Sequence, residues 1–348
     1  MVTSHRTRLL VCLFALLGID ARAESLETDL LIVGGNESAC SAAVQAARLG
    51  VKRIVLVNDI DWLGGQFSAE GVGCLDEWTT VEGKRTNFPR SGLFLEFVNR
   101  IRAHNVAKYG VASPGNAYCG TETIEPAAAA KLFEELLAPY SEKGTRQLRV
   151  ERGWQPASVE LDGNRVASVV FEKVTAPKER LIVRAKLTLD SSDWGDVIRL
   201  SGAKYGAGPD LRSRFGEPSA PESFDDAGRQ EMNPLSWCLV LREAGREVTF
   251  PKPASYDARS FAALDKTPPW VNSDMSAGIY SQSGWSVYTH RRLVDRWHHK
   301  LPVGSETTFL NWPVQDYPLC QLPQRVVDVL EATEAGASKK NIVEMTPA

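Results

Sequence analysis

Asp29-Leu30-Leu31-Ile32-Val33-Gly34-Gly35-Asn36-Glu37-Ser38-Ala39 is the stretch on which the reading of this chain turns. The run ending at Val33 is continuously apolar, as a parallel strand buried on both faces must be. Glycines follow at once. Ala42, Ala43, Ala46 and Ala47 then lay a small-residue face along a helix that Gly50 terminates. Residues Arg53 to Val57 supply a second apolar strand, which completes a βαβ unit of the dinucleotide-binding kind. In such a turn the first glycine permits the bend, the second admits a diphosphate to the backbone, and the third lets helix and strand pack closely. Those places hold Gly34, Asn36 and Ala39. Asparagine tolerates unusual backbone angles, but its side chain takes room that phosphates would use. Amides from about Ser38 onward open the helix and face an anion.

Outward from this unit, the end of the second strand should carry a carboxylate for a ribose hydroxyl. Asn58 stands there with Asp59 beside it, and two readings are open: a weaker ribose contact, or a residue that starts a turn. Leu63-Gly64-Gly65-Gln66 begins a long loop through Gly71, Gly73, Cys74 and Asp76, of the length that usually serves function. Leu93, Phe94, Phe97, Val98 and Ile101 predict a helix from Ser91 to about His104, and Pro126 opens another. From Leu148 the period changes to that of strands. A hairpin turns at Asp162-Gly163-Asn164, and a returning strand from Arg180 ends at Asp190, before Gly195-Asp196 and a short helix. The region from about Arg212 to Leu322 is rich in proline and tryptophan, and Gln324 to Ala335 reads as an amphipathic helix.

The first 23 residues carry a basic front (His5, Arg6, Arg8), a short apolar core and Ala21-Arg22-Ala23, the pattern of an export signal cleaved near Ala23. Its alternative is a retained anchor, though the apolar run is shorter than the roughly 20 residues a spanning helix needs. Without the signal the formal charge of −3 becomes about −5, and no basic stripe argues for a nucleic-acid partner or, after cleavage, for a membrane. Small molecules are the expected ligands, and the oligomeric state is left open. The six cysteines form no CxxC pair, which argues against a metal or an iron–sulfur cluster, and Cys40 reads as a small buried residue. One or two disulfides would suit an oxidising compartment.

The glycine turn with its alanine helix, Asp61-Trp62-Leu63-Gly64-Gly65-Gln66, the segment from Leu189-Asp190 to Gly195-Asp196 with Ser201-Gly202-Ala203, Glu217-Pro218-Ser219-Ala220-Pro221, and Asn311-Trp312-Pro313 with Asp316-Tyr317 together resemble the FAD-dependent oxidoreductase family. The resemblance covers nearly all of the chain after the signal. It implies a glutathione-reductase-type FAD domain in which Gly34, Gly35 and Ala39 hold the diphosphate, with Asn36 and Ser38 in the same turn. It places Asn58 or Asp59 at the ribose, and Gly64, Gly65, Gln66 and Asp190 along the cofactor. For Asp190 and Asp196 the competing reading is turn formation and helix capping. By the same resemblance, relatives carry a further Gly/Ala-rich strand-to-helix turn near their C-terminus. After Gln324 this chain has only Gly336, so it is expected either to be part of a longer protein or to hold FAD weakly.

The fold expected is therefore α/β: a Rossmann-like FAD/NAD(P)-binding domain over residues 24–211 with a β-hairpin/meander insertion, a mixed α+β substrate domain over 212–322, and residues 323–348 returning as a helix. The function expected is an exported oxidoreductase moving hydride or electrons from an organic substrate to FAD. Its rivals are a non-catalytic protein that keeps the fold, and an NAD-dependent enzyme that the Leu-Gly-Gly-Gln loop disfavours. Catalytic side chains are not legible beyond three polar residues of the second region, Asp316, Tyr317 and His290, the last of which reads first as a surface or structural histidine on a helix. His298-His299 reads as a solvated helix end.

Overall fold

The computed structural model describes residues 23–76, 78–81, 84–87, 89–205, 210–224, 235–254, 256, 287–311, 316–317 and 328. The signal, Trp312-Pro313, Cys320 and nearly all of the helix expected from Gln324 lie outside them.

The first strand, β1 (Ala23–Val33), is followed by α1 (Glu37–Arg48) and β2 (Ile54–Asn58). A short ribbon of β3 (Trp78–Val81) and β4 (Lys84–Asn87) precedes two longer helices, α2 (Gly92–Tyr109) and α3 (Pro126–Leu137). Then come β5 (Leu148–Arg152), the hairpin β6 (Trp154–Asp162) and β7 (Arg165–Lys173), β8 (Ala176–Asp190) and α4 (Asp196–Ser201). These strands form one six-stranded sheet in the order β5-β2-β1-β8-β7-β6. β5, β2, β1 and β8 run parallel, and β7 and β6 continue the sheet antiparallel. The hairpin expected as an insertion is thus an extension of the main sheet through the first half of β8.

β1 alternates between two cores, as pleating requires. Leu30 and Ile32 pack with Ile54, Leu56, Leu148 and the apolar faces of α1, α2 and α3. Leu31 and Val33 pack on the other side with Val55, Val57, Trp154, Phe171, Leu181 and Val197. On α1 the residues Ala39, Ala43 and Ala47 are buried, and the absence of larger side chains lets the helix lie directly on the sheet. Phe67, Phe97 and Phe133 join the loop after β2 to α2 and α3, with Phe97 and Phe133 stacked at 4.1 Å. β1 begins well before the apolar run, because Ala23 to Thr28 pair with Arg180 to Ala185 of β8. α2 runs on to Tyr109, and buried Asn105 explains why no apolar period announces the extension: its amide donates to Ala112 O (3.0 Å) and Thr123 O (2.8 Å).

The later region contributes α5 (Arg212–Phe215), β9 (Leu235–Ser236), β10 (Leu239–Arg242), α6 (Val287–His290), β11 (Arg291–Val294), α7 (Arg296–His299), β12 (Thr307–Leu310) and β13 (Asp316–Tyr317). β10, β12 and β11 form a three-stranded antiparallel sheet, and β13 pairs with β9. This small sheet is anchored by Arg292, which is 1% exposed and held by Glu306 (2.6 Å) and Asp295 (3.0 Å). Leu293, Val294 and Phe309 pack beneath it. It is stitched to the first region by hydrogen bonds from Tyr118 N to Thr289 O (3.0 Å), Asp295 N to Pro114 O (2.7 Å) and Thr123 Oγ1 to Leu293 O (2.9 Å).

Candidate functional site

The chain crosses over between β1 and β8, and in open parallel sheets ligands bind outside the strand ends at such a switch point. Gly34 has φ +105°, and a Cβ there would fall on the carbonyl of Ser191, so both the angle and the close approach require glycine. The turn is tied to both neighbours, since Gly34 N donates to Val57 O and Ser191 N to Val33 O, each at 2.8 Å. A side chain at Gly35 would collide with Asn58.

Asn36 is fully engaged by the protein itself. Its Oδ1 accepts from Ala39 N (3.0 Å), capping α1, and from Ser191 Oγ (2.9 Å), while its Nδ2 donates to Ser191 O (2.9 Å) and Asp193 Oδ1 (3.4 Å). The asparagine therefore clamps the β1–α1 turn to the β8–α4 turn. Asn58 is buried, and its Nδ2 donates to Ile60 O and Trp62 O, both at 2.9 Å, which is the turn-starting geometry. Asp59 next to it is exposed, and partial desolvation together with Asp193 and Asp196 raises its pKa. Asp190 is also spent locally. Its Oδ1 accepts from Ser192 N (3.1 Å) and Oγ (2.7 Å), and its Oδ2 from Ile198 N (2.8 Å), while Asp196 pairs with Arg199 at 3.0 Å.

The Gly64-Gly65-Gln66 loop docks on this turn through Gly64 N to Gly35 O (2.7 Å). Gly64 (φ +109°) lies against the Phe133 ring, and Gly65 lies against Glu37 and Asn36. Ser38 and Ala39 lie in the first turn of α1, whose opening N–H groups have no partner within the helix.

All of this opens onto a cleft of about 1280 Å³. Its lining includes Asn36, Glu37, Gln66, Glu70, Asp193 and Trp194 from the turns around β1 and β8, and Asp76, Trp237, Arg291 and Asn311 from the loop after β2 and the later region. Pockets for a single small ligand usually measure roughly 300–1,000 Å³, so this one has room for a cofactor and a second molecule. Its charge is mostly negative. Arg291 is paired to Asp76 at 2.6 Å, while the Oε2 of Glu37 is buried without a hydrogen-bond partner. Glu70, at the exposed lip, has its carboxyl pushed up to about 7 by desolvation and by Asp193 and Glu37.

The glycine turn, Asn36 and Gln66 thus converge as the sequence implies. His290 is half-buried beside Arg291 but is not among the cleft-lining residues, and its pKa is lowered by burial and by Arg291. Asp316 and Tyr317 pair with Ser236 and Leu235, next to the cleft residue Trp237. Glu37, Glu70, Asp193, Trp237 and Arg291 are not among the site residues read from the sequence. Only the position of Glu37 at the start of α1 could have marked one of them. Cys40 is buried, with its thiol pushed up to about 12 by desolvation, and Cys74 is buried as well. Among the described residues no three His, Cys, Asp or Glu side chains gather as a metal site, and no helix is long and apolar enough to cross a membrane.

The backbone of this turn fits a dinucleotide diphosphate: two glycines at a switch point, a helix start with open N–H groups, and a second glycine loop bonded to the first. Solved structures with a related arrangement include adenylylsulfate reductase from Archaeoglobus fulgidus (18% identity, 49% of this chain and 31% of that one, TM-score 0.33). Two others are a geranylgeranyl bacteriochlorophyll reductase-like protein from Thermoplasma acidophilum (17%, 52% and 43%, 0.33) and p-nitrophenol 4-monooxygenase from Pseudomonas putida (12%, 53% and 45%, 0.32). The chain spans less than half the length of each. No curated protein matches. The model of the FAD dependent oxidoreductase family matches residues 29–344, and with nearly the whole chain inside that match, this protein belongs to the FAD-dependent oxidoreductase family.

Proposed function

We propose that this protein is an exported flavoenzyme that oxidises a small organic molecule in the cleft beside the β1–α1 turn. The observation carrying the reading is the junction of Gly34, Gly35 and Gly64, bonded together next to Asn36, Glu37 and Gln66, which line a cleft large enough for FAD and a substrate. FAD, when bound, supplies the acceptor for hydride or electrons. The chain supplies the rest. Gly34 and Gly35 let the backbone approach the diphosphate, and the N–H groups of Glu37 and Ser38 face it. Asp59 offers the ribose a carboxylate that Asn58, committed to its turn, does not. Gly64, Gly65 and Gln66 line the path of the cofactor. The carboxyl of Glu70, poised near neutrality in the cleft, is suited to accept a proton from a substrate. Asp316, Tyr317 and His290 stay as further proposals on the substrate side. Export rests on the basic, apolar and small-residue pattern ahead of Glu24.

A second reading, a protein that keeps the fold and holds FAD weakly, is favoured by Glu37, Glu70 and Asp193 beside the diphosphate position. One titration separates the two. Purified protein is mixed with FAD and followed by flavin fluorescence and thermal melting. Tight binding should stabilise the fold by about 2.7 kcal/mol at a hundred times Kd. Bound flavin without reduction by any alcohol, amine or acid supplied would favour the second reading, and absence of both binding and stabilisation would sink the first.

A further inference from the structure

We infer that the part of the cleft lined by the later region receives a neutral sugar ring, stacked on Trp237 and hydrogen-bonded by Arg291, Asp76 and Asn311. Describing that sugar as a substrate rests on the flavoenzyme reading; its binding does not.

The register of the small sheet brings these groups together. Arg291 of β11 pairs with Phe309 of β12. Asn311 follows two residues later, so pleating returns it to the same face as Phe309 and Arg291. That face looks onto the loop carrying Asp76: the Phe309 ring occupies the place a Gly71 side chain would take, and Arg291 donates to Cys74 O (3.2 Å) and Asp76 Oδ2 (2.6 Å). Arg291 and Asn311 both line the cleft, and each keeps one buried polar atom without a partner, the Nε of Arg291 and the Oδ1 of Asn311. Arg291 is 11% exposed in its side chain. A buried donor and a buried acceptor left open on one wall are the pattern expected where a ligand completes the hydrogen bonding. Trp237 lines the same cleft with 75% of its surface exposed, a broad apolar face turned to solvent.

The chemistry selects among ligands. Hydroxyl groups both accept, as the Arg291 Nε–H requires, and donate, as the Asn311 Oδ1 requires. An ammonium group cannot accept, so it leaves Arg291 unsatisfied. A carboxylate or phosphate cannot donate, and it would also face Asp76, Glu70 and Asp193 across the cleft. Because Asp76 already neutralises Arg291, the wall presents polar groups with little net charge. The apolar face of a pyranose suits an indole, and its neighbouring hydroxyls suit the arginine, carboxylate and amide.

The test is calorimetric titration of purified full-length protein, with and without FAD, against cellobiose, lactose and diacetylchitobiose, with glucuronate and glucosamine as charged comparators. Binding of at least one neutral sugar is expected, at least tenfold tighter than either charged one. Trp237→Ala should weaken it about tenfold, and Asn311→Ala several-fold. Trp297→Ala, an exposed tryptophan outside the cleft, should leave it unchanged. No binding by any neutral sugar, tighter binding of a charged one, or unaltered affinity in Trp237→Ala would overturn the inference. FAD binding without sugar binding leaves the flavoenzyme reading standing and removes this one; sugar binding without FAD does the reverse.

Discussion

Asn36→Asp is the sharpest probe of how the cofactor turn is held. By helix capping alone the change should be close to neutral, since aspartate and asparagine cap equally well and a negative charge suits a helix N-terminus. The structure says otherwise. The Oδ1 contacts to Ala39 N and Ser191 Oγ survive, but Nδ2 is lost, and with it the donation to Ser191 O at 2.9 Å. An anionic oxygen then faces the Ser191 carbonyl, with Asp193 close behind. Losing one part-buried bond costs about 1 kcal/mol, and leaving like-polarised oxygens in contact adds about 1–2 more, so roughly 2–3 kcal/mol is expected at neutral pH. In a thermal melt this is a fall of several degrees. The cost should shrink below about pH 4, where the new carboxyl takes up a proton and can donate again. The measurement is a pair of melts, parent and variant, at pH 7 and pH 4. A variant as stable as the parent at pH 7 would refute the clamp and return Asn36 to the role of a simple cap.

Gly34→Ala combines a positive φ with a collision against the Ser191 carbonyl, so it should lose several kcal/mol and accumulate poorly, measurable as soluble yield and melting temperature. Arg292→Met removes the cation from between the buried carboxylates Glu306 and Asp295 and should cost about 3–5 kcal/mol in a urea titration, with only part of it recovered when Glu306→Leu is added. Glu70 has a folded pKa raised above its ordinary 4.5 to about 7, so its contribution to stability is fully present below pH 4.5 and is lost as pH rises through 7. Melts of Glu70→Gln across that window should therefore fall less than those of the parent, and parallel curves would contradict the assignment. Cys40, buried and pushed up to about 12, should resist alkylation at pH 8 until the chain is unfolded, as peptide mapping of native and denatured protein would show.

The half of the fold that could be read in advance was the half whose partners are close in sequence. Val33 to Val57 announces strand, turn, helix and strand because each element pairs or packs within a few tens of residues. The extension of β1 back to Ala23 carries Glu24, Glu27 and Thr28, whose place in a strand depends on β8, more than a hundred residues later. The same holds at the site. Gly34, Gly64 and Gly65 were legible because backbone conformation is local. Asn36 looked like a misfit in a phosphate cradle until Ser191 supplied its partner, while for Asn58 and Asp190 the turn reading stood beside the cofactor reading and only the bonds to Ile60 and Ile198 decide between them. The far wall of the cleft needed β11, β12 and the loop after β2 to meet before Arg291 could be recognised as lining it.

The position of β1 in the sheet also dictates an order of events during synthesis. One of its edges is satisfied by β2 soon after it is made, for Leu31 pairs with Val55. The other edge waits for Thr188, so a strand buried on both faces at Leu31 to Val33 stays open along one side until the ribosome has produced the whole meander. Until then the cost is an open strand edge, the kind of surface that a holding chaperone covers. Arrested chains ending before β8 should stay protease-sensitive, and chains reaching past α4 should become resistant in a single step.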